Sequence, residues 1–183
     1  MENIKVLSNQ KVIKYLLTIF LGSLLLTISA KIKIPFYPVP MTMQTFVVVL
    51  MGVTFGWKIG VATISLYLLQ GIIGFPVFAG TPEKGLGLIY FMGPTMGYLI
   101  GFLFATFLAG YLNLKTNIFL IFLKLILSVS IIYILGILWL GHLIGWDKPL
   151  FELGLMPFLL AELFKISLLT ILTKKLIKFR KFI

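Results

Sequence analysis

The sequence predicts an all-α, polytopic integral membrane protein, with six transmembrane helices forming one bundle and one domain over residues 1–183. Composition and hydropathy lead to this fold class. Hydrophobic residues make up 60% of the chain and charged residues only 11%, whereas soluble domains carry roughly 25% charged residues. The mean hydropathy is +1.12. Six spans of about 20 residues would use about 120 residues, which leaves room only for short connections and two tails.

Apolar runs separated by glycines, prolines and lysines define the predicted spans. Spans two and three are short and meet at Gly56-Trp57-Lys58, where glycine permits a tight corner and the tryptophan and lysine suit the membrane interface. The first run also imitates a secretory signal that ends at Ile28-Ser29-Ala30, but we expect it to be retained as a helix. The six spans cover residues 13–30, 42–56, 58–72, 95–113, 118–140 and 156–177.

Basic residues are distributed unequally between the two sides of this predicted bundle. One side receives only Lys31, Lys33, Lys84 and Lys148. Because positive residues favour the cytoplasmic side, we expect both termini to be cytoplasmic, which requires an even number of spans. The richer side carries Lys5, Lys11, Lys14, Lys58, Lys115, Lys174, Lys175, Lys178, Arg180 and Lys181.

The same composition argues against several classes of function. The net charge is +11, but the basic residues flank apolar runs and form no stripe on a polar surface, so we expect no nucleic-acid partner. The chain has no cysteine and a single histidine, His142, so we predict no metal site. It has no phosphate-binding loop, no His-Glu-x-x-His motif and no second acidic residue within a span. We therefore predict that the chain is not an enzyme.

Two connections on the predicted outer side are richer in glycine and proline than simple loops. Residues 32–45 contain three prolines, which predict an extended, stiff segment. Thr42 is the expected N-cap of span two, which places Gln44 and Thr45 in its first turn. The second connection, residues 71–94, is too apolar for a solvated linker. We expect residues 72–79 to fold back over the bundle as a lid; a long connection that rests on the lipid headgroups is the alternative.

Span six contains two charged residues, Glu162 and Lys165. If Pro157 begins the helix, these residues lie about 7 Å and about 12 Å along its axis, on one face. Charges inside a membrane cost about 2.5 to 3.5 kcal/mol each, so this face should point to the bundle interior or to a cavity. We predict a ligand site there, while a purely structural ion pair is the alternative.

Three segments, in order, resemble the BioY family, the biotin-specific substrate-binding (S) components of energy-coupling-factor (ECF) vitamin importers. The resemblance extends over essentially the whole chain, and the family has an acidic residue followed three positions later by lysine in its last helix. Glu162 and Lys165 match that pattern, although the family usually has aspartate at the first position. The three segments are IPFYPVPMTMQT (34–45), GIIGFPVFAG (71–80) and GPTMGYLIGF (93–102).

This resemblance implies a six-helix S-component fold in a prokaryotic cell membrane, with biotin bound near the outer surface and no cofactor. Glu162 and Lys165 would complement the ureido ring of biotin, since charged groups form strong hydrogen bonds with its N–H and carbonyl groups. Gln44, Thr45 or a loop lysine would hold the tail carboxylate. Apolar walls would come from Phe78, Tyr90, Tyr98 and Trp139.

The resemblance also implies partners: a transmembrane coupling subunit and a pair of ATPases. The family uses small residues spaced by four on the first helix to dock the coupling subunit. Ser23 and Thr27 keep that spacing and are the predicted docking residues. The competing hypotheses are an S component for a different vitamin, a self-sufficient small-solute transporter and, less favoured, an intramembrane enzyme.

Overall fold

The computed structural model describes residues 2–35 and 37–181, and most of its regular structure is helical. The elements in chain order are α1 (Glu2–Lys31), β1 (Lys33–Ile34), β2 (Met41–Thr42), α2 (Gln44–Ile72), α3 (Leu88–Phe91), α4 (Met96–Tyr111), α5 (Ile118–Ile144), α6 (Leu150–Gly154), α7 (Met156–Leu176) and a terminal 3₁₀ helix (Ile177–Lys181).

Several of these helices are long and apolar enough to cross a membrane. Within the described residues, four segments meet both criteria: Gln10–Lys31, Gln44–Ile72, Ile118–Ile144 and Met156–Arg180. The α4 helix is apolar but has only 16 residues, which makes it about 24 Å long. Length and composition therefore agree with a helical protein that crosses the membrane several times.

The long α2 segment is interrupted at Gly56, whose φ of 80° and ψ of 172° are non-helical. Gln44 Nε2 donates a 2.6 Å hydrogen bond to the hydroxyl of Tyr67, although an uninterrupted helix would separate these residues by about 34 Å. A Cβ on Gly60 would lie only 3.2 Å from the Cα of Gly52. The chain therefore reverses at Gly56, at the predicted corner, and glycines let the two arms approach closely.

The start of α2 differs from the prediction. The N-cap is Met43, and Thr42 belongs instead to β2. The reason is that β1 and β2 pair antiparallel, with Lys33 opposite Thr42, so the proline-rich connection folds back on itself as a small hairpin. Thr42 Oγ1 still accepts a 3.3 Å hydrogen bond from Gln44 N–H.

Residues 73–87 have no regular helix or strand, but part of this segment is buried. Ile73 and Phe75 are exposed, whereas Val77, Phe78, Ala79 and Thr81 are buried. The predicted folding back over the bundle is confirmed, although burial begins at Val77 and not at Ile72. We name residues 77–81 the cover segment.

The two ends of the bundle differ in how they are closed. We name the end that holds Lys31, the β1–β2 hairpin and the cover segment the loop end. At the opposite end, Arg180 donates hydrogen bonds to the carbonyl oxygens of Val53 (2.9 Å), Gly52 (3.1 Å) and Ala109 (3.4 Å). This guanidinium ties the terminal 3₁₀ helix to the ends of two other helical segments.

Candidate functional site

Glu162 and Lys165 lie on one face of α7, as predicted, and form a buried ion pair there. Their charged atoms, Glu162 Oε1 and Lys165 Nζ, are 2.8 Å apart, and each residue is only 5% exposed. Thr45 Oγ1 donates a 2.7 Å hydrogen bond to the same carboxylate oxygen. The ammonium also donates to Thr45 Oγ1 at 3.0 Å and to the carbonyl oxygen of Thr42 at 2.6 Å. Every ammonium donor therefore has an acceptor, so the charged pair is stably held between α7 and the start of α2.

A cavity lies beside this charged pair at the loop end. Its empty volume, which includes the part that opens to the outside, is about 510 Å³. Apolar and aromatic side chains dominate its wall, and a few polar groups converge on one region. Its lining residues are Val39, Pro40, Met41, Thr42, Gln44, Thr45, Ala79, Tyr90, Thr95, Tyr98, Leu99, Phe102, Ile132, Tyr133, Phe158 and Glu162.

The predicted site residues take three different positions relative to this cavity. Lys165 and Phe78 lie one layer behind the wall: Lys165 holds Glu162 and Thr45, and Phe78 packs behind Tyr90 with ring centroids 4.7 Å apart. Trp139 lies elsewhere, because its indole N–H donates a 2.9 Å hydrogen bond to the carbonyl oxygen of Gly93. The predicted residues that line the cavity are Gln44, Thr45, Tyr90, Tyr98 and Glu162.

Hydrogen bonds fix the cavity wall to the cover segment. Gln44 Nε2 donates to the hydroxyl of Tyr67, which donates to the carbonyl oxygen of Val77 at 3.1 Å. The hydroxyl of Tyr90 donates to the carbonyl oxygen of Ala79 at 2.8 Å. Burial raises the pKa of Tyr90, so its hydroxyl stays protonated as a donor. Two tyrosines thus satisfy backbone carbonyls in a segment that has no secondary structure to do so.

Tyr133 and Phe158 were not predicted, and both line the cavity. Tyr133 lies in the middle of α5, interacts electrostatically with Glu162, and packs edge-to-face on Tyr98 with ring centroids 6.0 Å apart. A tyrosine hydroxyl inside an otherwise apolar span is the signal that could have found it, because a buried hydroxyl needs a partner. Phe158 carries no comparable signal in the sequence.

Two larger apolar grooves flank α7, but neither concentrates polar groups as the cavity does. One runs between α5 and α7 and includes Ile134 and Leu159; the other runs between the β1–β2 hairpin and α7 and includes Ile34 and Phe164. Both open sideways from the bundle. Because ligand sites combine apolar walls with a few convergent polar groups, we assign the candidate site to the smaller cavity.

The predicted docking residues on α1 do not form an exposed stripe. Ser23 is completely buried within the chain and its hydroxyl donates to the carbonyl oxygen of Phe20. Thr27 is half-buried. Next to them, a Cβ on Gly22 would lie 2.6 Å from Thr63 Cγ2, so the small residues bring α1 close to α2. The expectation that Ser23 faces a partner is therefore wrong for this conformation.

No metal centre accompanies the site within residues 2–35 and 37–181. No group of three or more His, Cys, Asp or Glu residues in that part of the chain could hold an ion. The positive charge nearest to Glu162 in its hydrogen-bond network is the ammonium of Lys165. The polar chemistry of the cavity is therefore that of an ion pair, hydroxyls and one amide.

Comparison with known proteins identifies the family and agrees with the fold. The sequence profile of the BioY family matches residues 3–182. The chain belongs to the BioY family. A probable biotin transporter BioY from Pyrococcus horikoshii is 36% identical over 152 residues, which are 83% of this chain and 89% of that protein. The biotin transporter BioY of Thermotoga maritima is 35% identical over 155 residues, 84% of this chain and 90% of that protein.

A solved structure extends the comparison to three dimensions. The crystal structure of the S-component for biotin from an ECF-type ABC transporter is 28% identical in sequence and superposes with a TM-score of 0.77. The alignment covers 93% of each chain. The resemblance stated from the sequence motifs is therefore confirmed at the level of family and of fold.

Proposed function

We propose that this chain captures biotin in the membrane as the substrate-binding component of an ECF-type vitamin importer. The observation that carries the proposal is the cavity beside the charged pair, in which Glu162 and Thr45 form part of the wall. The names of the relatives and of the structural neighbour support the choice of biotin. A capture component performs no covalent chemistry, in keeping with a transport family and not with an enzyme.

The polar part of the cavity suits the ureido ring of biotin, which offers two N–H donors and one carbonyl acceptor. Glu162 can accept an N–H of the ring, and a charged acceptor strengthens such a bond. Lys165 lies behind the wall and does not line the cavity, so its role is to hold the Glu162 side chain in position through their 2.8 Å contact. The single hydroxyl proton of Thr45 is already donated to Glu162, so the hydroxyl of Tyr133, which also lines the cavity, is the candidate donor to the ring carbonyl.

The rest of the ligand is apolar, apart from the tail carboxylate. Tyr98 and Phe158 offer aromatic surface for the fused ring and the aliphatic tail. The cavity-lining residues include no lysine or arginine, so we assign the carboxylate to neutral donors. The candidates are the amide of Gln44 and the hydroxyls of Thr42 and Thr95.

We propose a six-span topology with both termini in the cytoplasm, and the reversal at Gly56 supports the number of spans. Its two arms share 29 residues, so each arm is shorter than the roughly 20 residues of an ordinary span. If each arm counts as one span, then α1, α4, α5 and α7 bring the total to six. The excess of basic residues at the termini then orients the loop end outward in a prokaryotic cytoplasmic membrane.

Import would require partners, because the sequence has no phosphate-binding loop. We propose a transmembrane coupling subunit and a pair of ATPases as those partners, as the ECF-type assembly of the structural neighbour suggests. Since Ser23 is buried, a coupling subunit would have to contact the exposed face of α1 or another helix. Lipid surrounds the remaining apolar surface.

Calorimetric titration of the detergent-purified chain with biotin tests this function directly. We expect tight, stoichiometric binding and no binding of thiamin, which lacks a cyclic urea. The Glu162→Gln variant should bind biotin about 10-fold to 100-fold more weakly, since a charged hydrogen bond contributes about 1.5 to 3 kcal/mol. Glu152→Gln is the matched control, because Glu152 is exposed.

The outcomes separate the function from the site. If the folded parent chain does not bind biotin, the proposed ligand is wrong. If the parent binds biotin and Glu162→Gln binds it equally well, the ligand stands and the assigned site is wrong. Biotin accumulation by liposomes that contain this chain alone would instead favour a self-sufficient transporter.

A further inference from the structure

The side chain of Lys31, at the last residue of α1, reaches across to the cover segment. Its ammonium donates to the carbonyl oxygens of Phe78 (3.0 Å) and Thr81 (3.2 Å) and to Thr81 Oγ1 (3.2 Å). A lysine ammonium has three donors, and all three are directed at residues 47 to 50 positions further along the chain. The contact therefore joins two parts of the molecule that the sequence keeps far apart.

The acceptors of Lys31 lie in the part of the cover segment that closes the cavity. Ala79, between them, lines the cavity and accepts the hydroxyl of Tyr90. Phe78 is 1% exposed and packs edge-to-face on Tyr67 with ring centroids 5.2 Å apart. Fixing the carbonyls of Phe78 and Thr81 thus fixes the wall residue and the aromatic side chain that support the cavity from the loop end.

Lys31 supplies side-chain hydrogen bonds from α1 to this segment. Gly74, before the segment, and Gly80, within it, have φ values of 103° and 80°, a conformation typical of turns, and Ile73 and Phe75 are exposed. No residue of α1 is among those that line the cavity. Lys31 therefore connects the first helix to the binding site through the cover segment.

We propose that Lys31 is a positioning residue that holds the cover segment closed, and that it thereby slows the release of bound ligand. The inference deepens the proposed function, because it names a control element of the same cavity. Without the ammonium, three acceptors lose a charged donor and the cover segment opens more often. Of the side-chain hydrogen bonds to this segment, the neutral ones from Tyr67, Tyr90 and Thr81 Oγ1 then remain.

Hydrogen–deuterium exchange of the ligand-free chain in detergent tests the closing role without relying on biotin. In Lys31→Met, the backbone amides of residues 77–81 and 83–85 should exchange about 3- to 10-fold faster than in the parent, less than for a buried charged hydrogen bond because Lys31 is exposed. Lys33→Met is the matched control, since Lys33 is an exposed lysine two residues away. It should leave the exchange of this segment unchanged.

A second measurement and a second variant complete the test. Biotin dissociation, followed by displacement with excess unlabelled ligand, should be about 3- to 10-fold faster in Lys31→Met and unchanged in Lys33→Met. Thr81→Val removes one acceptor of Lys31, together with the 2.8 Å hydrogen bond that the hydroxyl donates to the carbonyl oxygen of Phe78, and should also make exchange faster; it keeps the proposal testable if Lys31→Met fails to fold. Unchanged exchange in both variants would overturn the proposal, whether or not the chain binds biotin. Faster exchange in a chain that does not bind biotin would uphold the closing role and refute only the ligand.

Discussion

The two sides of the cavity are built by different means. On one side, Glu162, Lys165 and Thr45 lie on regular helices and exchange charged hydrogen bonds of 2.7 to 3.0 Å. On the other side, the cover segment has no secondary structure and is held through its backbone carbonyls by Tyr67, Tyr90 and Lys31. The first side can hold polar atoms in fixed positions, whereas the second side can move without disturbing a helix.

This difference assigns different tasks to the two sides. Affinity and selectivity for a polar ring depend on acceptors and donors that are held in place before the ligand arrives. Entry and release depend on a segment whose opening costs little, as is typical of loops over binding sites. We therefore expect changes at the charged pair to alter affinity and stability, and changes at the cover segment to alter rates.

The largest effect is expected from Lys165→Met. This change leaves Glu162 buried without its cation, and breaking a buried ion pair by removing one partner costs about 3 to 5 kcal/mol of stability. Thermal unfolding in detergent should show a clear decrease in Tm, and biotin titration should show a loss of affinity.

The double variant Glu162→Gln/Lys165→Met is the control for that result. It leaves no unpaired charge, so it should recover part of the stability that Lys165→Met loses, while biotin binding stays weak. Equal stabilities for the parent and Lys165→Met would show that the pair is hydrated in the membrane. The distinction between the two sides of the cavity would then fail.

A smaller effect is expected from Thr45→Val, which keeps the shape of the side chain and removes its hydroxyl. That hydroxyl donates to Glu162 and accepts from Lys165, so its loss leaves one fewer partner for each. Affinity for biotin should fall about 10-fold, since hydrogen bonds to charged groups contribute about 1.5 to 3 kcal/mol. Calorimetric titration measures the change, and Thr116→Val, at a half-buried threonine outside the cavity wall, should have no effect.

The sequence predicted the helical part of the molecule well because membrane spans leave strong signals. The corner at Gly56 could be predicted from the sequence, since a glycine followed by interface residues interrupts one long apolar run. The pairing of β1 with β2 could not be predicted, because strands of two residues have no periodicity. Their register depends on contacts between residues 33–34 and 41–42. That pairing is why the N-cap of α2 is Met43, one residue after the expected Thr42, and why Thr42 lies in a strand.

The site was predictable where a residue type is costly in a membrane. Glu162 and Lys165 were found because charged side chains are energetically costly inside a membrane span, so they indicate a structural or functional role. Tyr133 was missed, because tyrosine is tolerated at many depths and its direction depends on how α5 rotates against α4 and α7. Trp139 was assigned to the wall for its aromatic character alone, but its indole N–H faces Gly93. Lys31 was counted only as a charge that orients the protein.

The smallest effect is expected from Tyr90→Phe, on the cover side. The change removes the hydroxyl that donates to the carbonyl oxygen of Ala79 and keeps the ring that stacks on Phe78. A neutral hydrogen bond contributes about 0.5 to 1.5 kcal/mol, so biotin dissociation should become about 2- to 10-fold faster with little change in Tm. Tyr111→Phe is the control, because Tyr111 is 65% exposed at the far end of α4. Tyr90→Phe could instead weaken affinity as strongly as Glu162→Gln and lower the association rate. The cover segment would then belong to the fixed part of the site, and the distinction between the two sides of the cavity would be wrong.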